Sequence, residues 1–161
     1  MTGFINYVMN DSGSRMYYEP DDRIDRENLG KRIKLEYQGV DEDKHGPLQF
    51  PPSTGIISGY SRHHSDLAFY GTSTWYVVDL DNRLRGRDNL GYKINCKRVI
   101  LSPIYMEGER DISLKIHRGE EVEAWASAVP WWYIFRIPKE ITMKISNRLH
   151  TFGTAKIRVI E

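Results

Sequence analysis

With 161 residues, of which 40% are hydrophobic and 28% charged, the chain has the composition of an ordinary soluble globular protein and enough apolar material for one well-cored unit. Large-scale disorder is excluded by that balance, and a membrane-spanning helix by the lack of any apolar run of bilayer length. The formal net charge of +1 supplies no global field, so any polyanion has to be recognised by a local cluster of cations.

Residues 1–29 read as a loop-rich arm. Glu19-Pro20-Asp21-Asp22-Arg23-Ile24-Asp25-Arg26-Glu27-Asn28 is polar and allows one helical turn after Pro20, while Tyr7, Met16, Tyr17 and Tyr18 give the arm apolar surface with which to dock. The first residues have neither a basic n-region nor an apolar h-region, and the single cysteine, Cys96, has no internal disulfide partner. The expectation is a reduced, cytoplasmic protein.

Arg32-Ile33-Lys34-Leu35-Glu36-Tyr37 alternates apolar and charged residues, the pattern of a half-buried strand. A charged loop follows from Gly39 to Pro47, and Phe50-Pro51-Pro52-Ser53 holds the chain extended before the next strand, Thr54 to Tyr60. Ser61 to Gly71 reads as a long polar loop, Thr74 to Asp81 as a strand, Asp81 to Lys97 as a second long connection, and Arg98 to Pro103 as another strand. Beyond Pro103, the segments Ile112 to Ile116, Val122 to Trp125, Trp131 to Ile137, Ile141 to Ile145 and Ala155 to Ile160 alternate with period two and predict a second β-layer. Apart from the turn near Asp21 to Asn28, only Ser146 to His150 is a helix candidate.

Gly30-Lys31-Arg32-Ile33-Lys34-Leu35, Thr54-Gly55-Ile56-Ile57, Trp75-Tyr76-Val77-Val78 and Val99-Ile100-Leu101-Ser102-Pro103 together resemble the strand grammar of SH3-like small barrels, the group that includes Tudor, chromo-like and KOW domains. The resemblance covers residues 30–103. It implies a small SH3-like antiparallel barrel over 30–103, to which the alternating segments over 104–161, without counterpart in a lone barrel of that kind, add an appended β-layer; the expectation is an all-β fold forming one compact domain from 30 to 161 with few or no helices. The resemblance also implies binding of peptides, modified side chains or nucleic acid in preference to catalysis.

Four groups of residues carry candidate chemistry. Arg62, His63, His64 and Asp66 fall in a predicted loop, where two imidazoles can converge and Asp66 can orient one of them; the plain alternative is a solvated loop. No short ligand spacing joins them to His45, His117 or His150, so no metal site is expected. Arg83, Arg85 and Arg87 alternate, which puts them on one side of an extended segment; Lys93, Lys97 and Arg98 follow closely and Tyr92 adds a stacking face. The plain alternative there is a solvated hairpin loop. Among Trp125, Trp131, Trp132, Tyr133 and Phe135, alternation sends most rings to the core but leaves Trp132, beside Arg136, as an interface anchor for a protein partner or a second copy of the chain.

Finally, Arg32, Thr72-Ser73-Thr74 and Glu121-Val122-Glu123 are similar in order to the arginine, Ser-Thr-Ser and Glu-x-Glu elements of ADP-ribosyltransferases. That likeness implies NAD as substrate, with Arg32 on its phosphates and Glu123 stabilising charge at the ribose. Gly55-Ile56-Ile57-Ser58-Gly59 lacks the lysine of a P-loop and the third glycine of a dinucleotide turn, so nucleotide hydrolysis is not supported. The expectation is a non-enzymatic binding module or adaptor, without catalytic residues or cofactor, that recognises a protein or phosphate-bearing partner such as nucleic acid and no membrane. An NAD-dependent ADP-ribosyltransferase-like enzyme and a structural subunit of an oligomeric assembly are the alternatives.

Overall fold

The computed structural model describes residues 8–9, 16–17, 22–64, 72–104, 112–130 and 149–160. Two short strands, β1 (Val8–Met9) and β2 (Met16–Tyr17), pair with each other, and α1 (Asp22–Glu27) supplies the helical turn expected after Pro20. Then come β3 (Arg32–Gly39), α2 (Glu42–His45), β4 (Ser53–His64), β5 (Thr72–Arg87), β6 (Lys93–Pro103), α3 (Ile112–His117), β7 (Val122–Ala128) and β8 (His150–Val159). Strands β3 to β8 form a closed barrel in chain order, every neighbour antiparallel, with β8 returning to pair with β3 from Ile33↔Val159 to Gly39↔Gly153. Closure leaves the ring without a free edge.

Period-two burial builds the barrel. Ile33 and Leu35 on β3, Tyr76, Val78 and Leu80 on β5, Leu101 on β6, Val122, Ala124 and Ala126 on β7, and Phe152, Ala155 and Ile157 on β8 all face one buried core. Gly153 is fixed by contact: its φ is 156°, and a Cβ there would lie 2.0 Å from the carbonyl oxygen of Gln38.

Three expectations need correction. The C-terminal strands do not lie over the barrel as a separate layer, because β7 pairs with β6 and β8 with β3, so both are staves of the same ring. Ile112 to Ile116 is the helix α3, not a strand. Over so few residues, apolar positions at 112, 114 and 116 fit either period, and Ile112 and Ile116 share a helical face that is buried, while Gly119 (φ 74°) ends the turn. Asp81 to Lys97 is not a loose connection: β5 runs on to Arg87, β6 begins at Lys93, and only 88–92 form the turn. The expected strands Trp131 to Ile137 and Ile141 to Ile145 lie outside the described residues. No helix among those described is long and apolar enough to cross a membrane.

Both ends of the barrel are stoppered. At one end, α1 and α3 pack together beside the β5 positions Thr74 and Tyr76. At the other, the β5–β6 hairpin extends past its neighbours: β4 leaves β5 at Leu80 and β7 leaves β6 at Val99, so Leu84–Arg87 and Lys93–Cys96 pair only with each other. A register break between Asp79 and Leu84 bends this ribbon inward. The bend carries its tip to the opposite wall, where Asn89 accepts from the backbone N–H of Val40 (3.2 Å) and donates to the carbonyls of Val40 (2.7 Å) and Gly46 (3.0 Å).

Candidate functional site

The ribbon has an inner and an outer face. Leu84, Ile94 and Cys96 point inward and join the core with Tyr37, Phe50 and Phe152, whose rings pack with centroids 5.5 to 6.3 Å apart. Gly86 is required by this packing: with φ 147°, it presents a backbone on which a Cβ would come 2.8 Å from the Phe50 ring. The intervening residues Arg83, Arg85, Arg87, Lys93, Asn95 and Lys97 are all exposed. Register puts Arg85 opposite Asn95 and Arg87 opposite Lys93, giving two rows of cations on one surface. A shallow depression of about 330 Å³ is lined by Arg85, Gly86, Arg87, Lys93, Ile94 and Asn95.

The partners of these cations matter more than their number. Arg83 donates to the Asn95 side-chain oxygen (3.1 Å) and Arg87 to the carbonyl of Gly91 (2.8 Å), both uncharged acceptors. Lys97 donates to the backbone carbonyl of Asp81 (2.7 Å). Among the described residues, no carboxylate forms an ion pair with Arg83, Arg85, Arg87 or Lys93. Elsewhere on the barrel, Arg32 is paired with Asp81 (2.6 Å), Arg98 with Asp79 (2.8 Å) and Arg158 with Glu121 (2.8 Å). Hydrogen bonds from Arg32 and Thr54 hold the Asp81 carboxyl below its ordinary range, so it stays ionised and committed to them.

The turn of the hairpin is held from within. Asp88 is buried and its carboxylate accepts from the backbone N–H groups of Leu90 (3.0 Å) and Tyr92 (2.8 Å) and contacts the His150 ring at 2.6 Å. Burial pushes that carboxyl upward, but His150 and the two N–H groups outweigh burial and leave it below the ordinary value of 3.8. Tyr92 is 61% exposed, its ring 5.0 Å from that of His150.

Arg62 belongs to the opposite end of the molecule. Its register partner is Thr74, whereas Arg87 lies thirteen residues further along β5, on the order of 40 Å of strand contour away. The two predicted clusters therefore do not share a cleft. Arg62 donates to the fully buried Asp25 (3.1 Å) and also lies 3.6 Å from Asp22. Asp25 further accepts from Thr74 (3.0 Å) and from the Tyr76 hydroxyl (3.1 Å), and Asn28 donates to Tyr76 (2.9 Å) and to the Ser113 carbonyl (2.9 Å). Burial, with the Asp25 charge alongside, raises the Tyr76 hydroxyl far above its usual range, so it remains a neutral donor. Asp25, Asn28 and Tyr76 were absent from the sequence candidates. The available signal was polar Thr74 and Tyr76 on the buried face of a strand, which demands polar partners.

The remaining candidates are scattered. His63 and His64 continue β4, opposite Ser73 and Thr72, on a strand and not in the predicted loop. Asp66, Trp132 and Arg136 lie outside the described residues. Trp125 is 39% exposed on β7 and not a core ring. Of the ADP-ribosyltransferase-like set, Arg32 pairs with Ile56 and Ser73 with His63, seven residues or about 20 Å further along β4, while Glu123 pairs with Lys156. Cys96 is buried, and burial pushes its thiol up to about 12, which makes it a poor nucleophile. No group of three or more His, Cys, Asp or Glu side chains among the described residues is placed to hold a metal ion. In comparison with known proteins, no family model, curated protein or solved structure matches the chain.

Proposed function

We propose that the chain is a non-enzymatic binding module that holds an anionic partner on the outer face of the β5–β6 ribbon. The observation that carries this reading is the row Arg83, Arg85 and Arg87, flanked by Lys93, with only uncharged acceptors among the described residues. A guanidinium fork matches the paired oxygens of a phosphate or carboxylate. Asn95 and Gly91 fix two of the three forks without neutralising them, so less rotamer entropy is lost when an anion arrives. The ribbon backs onto the barrel core, which holds the row rigid.

The test is the simultaneous replacement Arg83→Ala, Arg85→Ala and Arg87→Ala, titrated against heparin as a generic polyanion over a range of salt. The expected result is at least a tenfold loss of affinity at low salt and a log–log salt slope shallower by roughly 2–3. An unchanged affinity and slope would remove the ribbon from consideration. Thermal unfolding should barely move, since all three side chains are exposed.

A further inference from the structure

We infer that the depression on the ribbon is a site for a terminal phosphate, a phosphoryl group with close to two charges, gripped at once by Arg85, Arg87, Lys93 and Asn95. This rests on the binding reading above and narrows it to one ligand chemistry.

Register sets the geometry. Arg85 stands opposite Asn95 and Arg87 opposite Lys93, and the pair between them is Gly86 and Ile94. Ile94 turns its side chain into the core and Gly86 has none, so the floor between the four exposed residues is bare backbone. Same-face residues repeat roughly every 6.8 Å along a strand, and directly opposed Cβ atoms lie roughly 5 Å apart. The four side chains thus rise from the corners of one small rectangle, around a hollow of about 330 Å³ that they line together with Gly86 and Ile94. A group seated over its centre is within reach of all four.

The chemistry of the corners selects that group. Three carry cations, and among the described residues no carboxylate forms an ion pair with any of them. The fourth is set as a donor. The side-chain oxygen of Asn95 accepts from Arg83 (3.1 Å), and because a guanidinium can only donate, this contact fixes which way round the amide stands and leaves its NH2 group for the ligand. Arg83 is therefore a positioning residue at this site.

Two guanidinium forks, an ammonium and an amide offer more donors than a planar, singly charged carboxylate can accept. A terminal phosphoryl group brings three strong acceptor oxygens and roughly two charges at neutral pH. A diester of a nucleic-acid backbone has one charge and two free oxygens, so it leaves donors at the rectangle unmet.

Calorimetry with a short phosphoserine peptide, the same peptide as a serine sulfate ester, and inorganic phosphate tests this. At pH 7.5 the phosphopeptide should bind about tenfold more tightly than the sulfated one. That advantage should vanish at pH 5, where the second phosphate proton, of pKa about 6, has returned. The sulfate ester does not titrate in this range and reports any change in the protein itself. Arg85→Ala and Lys93→Ala should each cost about tenfold against the phosphopeptide, and Asn95→Asp at least as much. Asn95→Ala should cost about threefold, and adding Arg83→Ala to it should change little further, since Arg83 acts through that amide. Inorganic phosphate competing at the peptide's own concentration identifies a free phosphate as the ligand; a much weaker competitor identifies a phosphorylated chain. If the two esters bind equally at both pH values and Asn95→Asp is silent while heparin still depends on the arginines, this inference fails and the anion-binding reading stands. If neither heparin nor either ester responds to the triple arginine variant, both fail.

Discussion

The two ends of the barrel use arginine in opposite ways. At the end stoppered by α1 and α3, Arg62 is committed to Asp25 and Asp22, Arg26 is paired with Asp22, and Tyr60 also donates to Asp22 (2.7 Å). At the end stoppered by the ribbon, Arg83, Arg85 and Arg87 meet no carboxylate among the described residues. Sequence neighbourhood does not separate these cases, since both clusters sit among acidic residues. Asp79, Asp81 and Asp88 flank the ribbon arginines, yet Asp79 goes to Arg98, Asp81 to Arg32 and Asp88 to His150. A surface cation is available for recognition when the fold has already spent its nearby carboxylates elsewhere.

The sharpest way to break this comparison is Asp25→Ala. It leaves the Tyr76 and Thr74 hydroxyls and one side of Arg62 without their acceptor in a buried site, at a cost of about 3 kcal/mol. Urea unfolding should show that loss, while heparin affinity of the folded protein stays at the wild-type level. A fall in affinity equal to that of the triple arginine variant would mean that the two ends are not independent. Gly86→Ala acts at the other end. The added Cβ meets the Phe50 ring in a backbone conformation that side chains disfavour, so we expect about 1–2 kcal/mol of destabilisation. It should also weaken heparin binding, because the ribbon lifts; a stability loss with full binding would show that the row works without its backing.

The smallest effect is the pH response of the hairpin turn. Asp88 has a folded-state pKa below its ordinary 3.8, so its contribution is fully present above that value, where both folded and unfolded chains carry the charge. It declines as pH falls below 3.8 and the unfolded chain protonates first, and it is lost once the folded carboxyl protonates too. Stability followed by urea midpoints should therefore drop below about pH 4 less steeply in Asp88→Asn than in the wild type. Parallel curves would show that the turn is held by its backbone alone.

Much of the barrel is legible in the chain itself. The strands at Arg32 to Tyr37, Thr54 to Tyr60, Thr74 to Asp81 and Arg98 to Pro103 follow from local alternation, and all four are present in β3 to β6. Ring closure is not local: pairing Ile33 with Val159 spans nearly the whole domain, and nothing in either strand names its partner. Alternation also placed Arg83, Arg85 and Arg87 on a common side. What stayed hidden was that Leu84 and Gly86 face a core, because one glycine and three arginines disguise a strand as a loop. Asp25 was hidden for a different reason. It is one acid in a polar turn, and its partners Arg62, Thr74 and Tyr76 are 37 to 51 residues away.

The ribbon also closes the barrel, so its cationic outside and its apolar inside share one set of backbone hydrogen bonds. A partner held on the outside, as proposed, would stabilise the seal by mass action, and a loosened seal would weaken the grip by the same free energy. On the proposed reading, affinity and cohesion at this end rise and fall together, so a hairpin substitution that weakens one weakens the other.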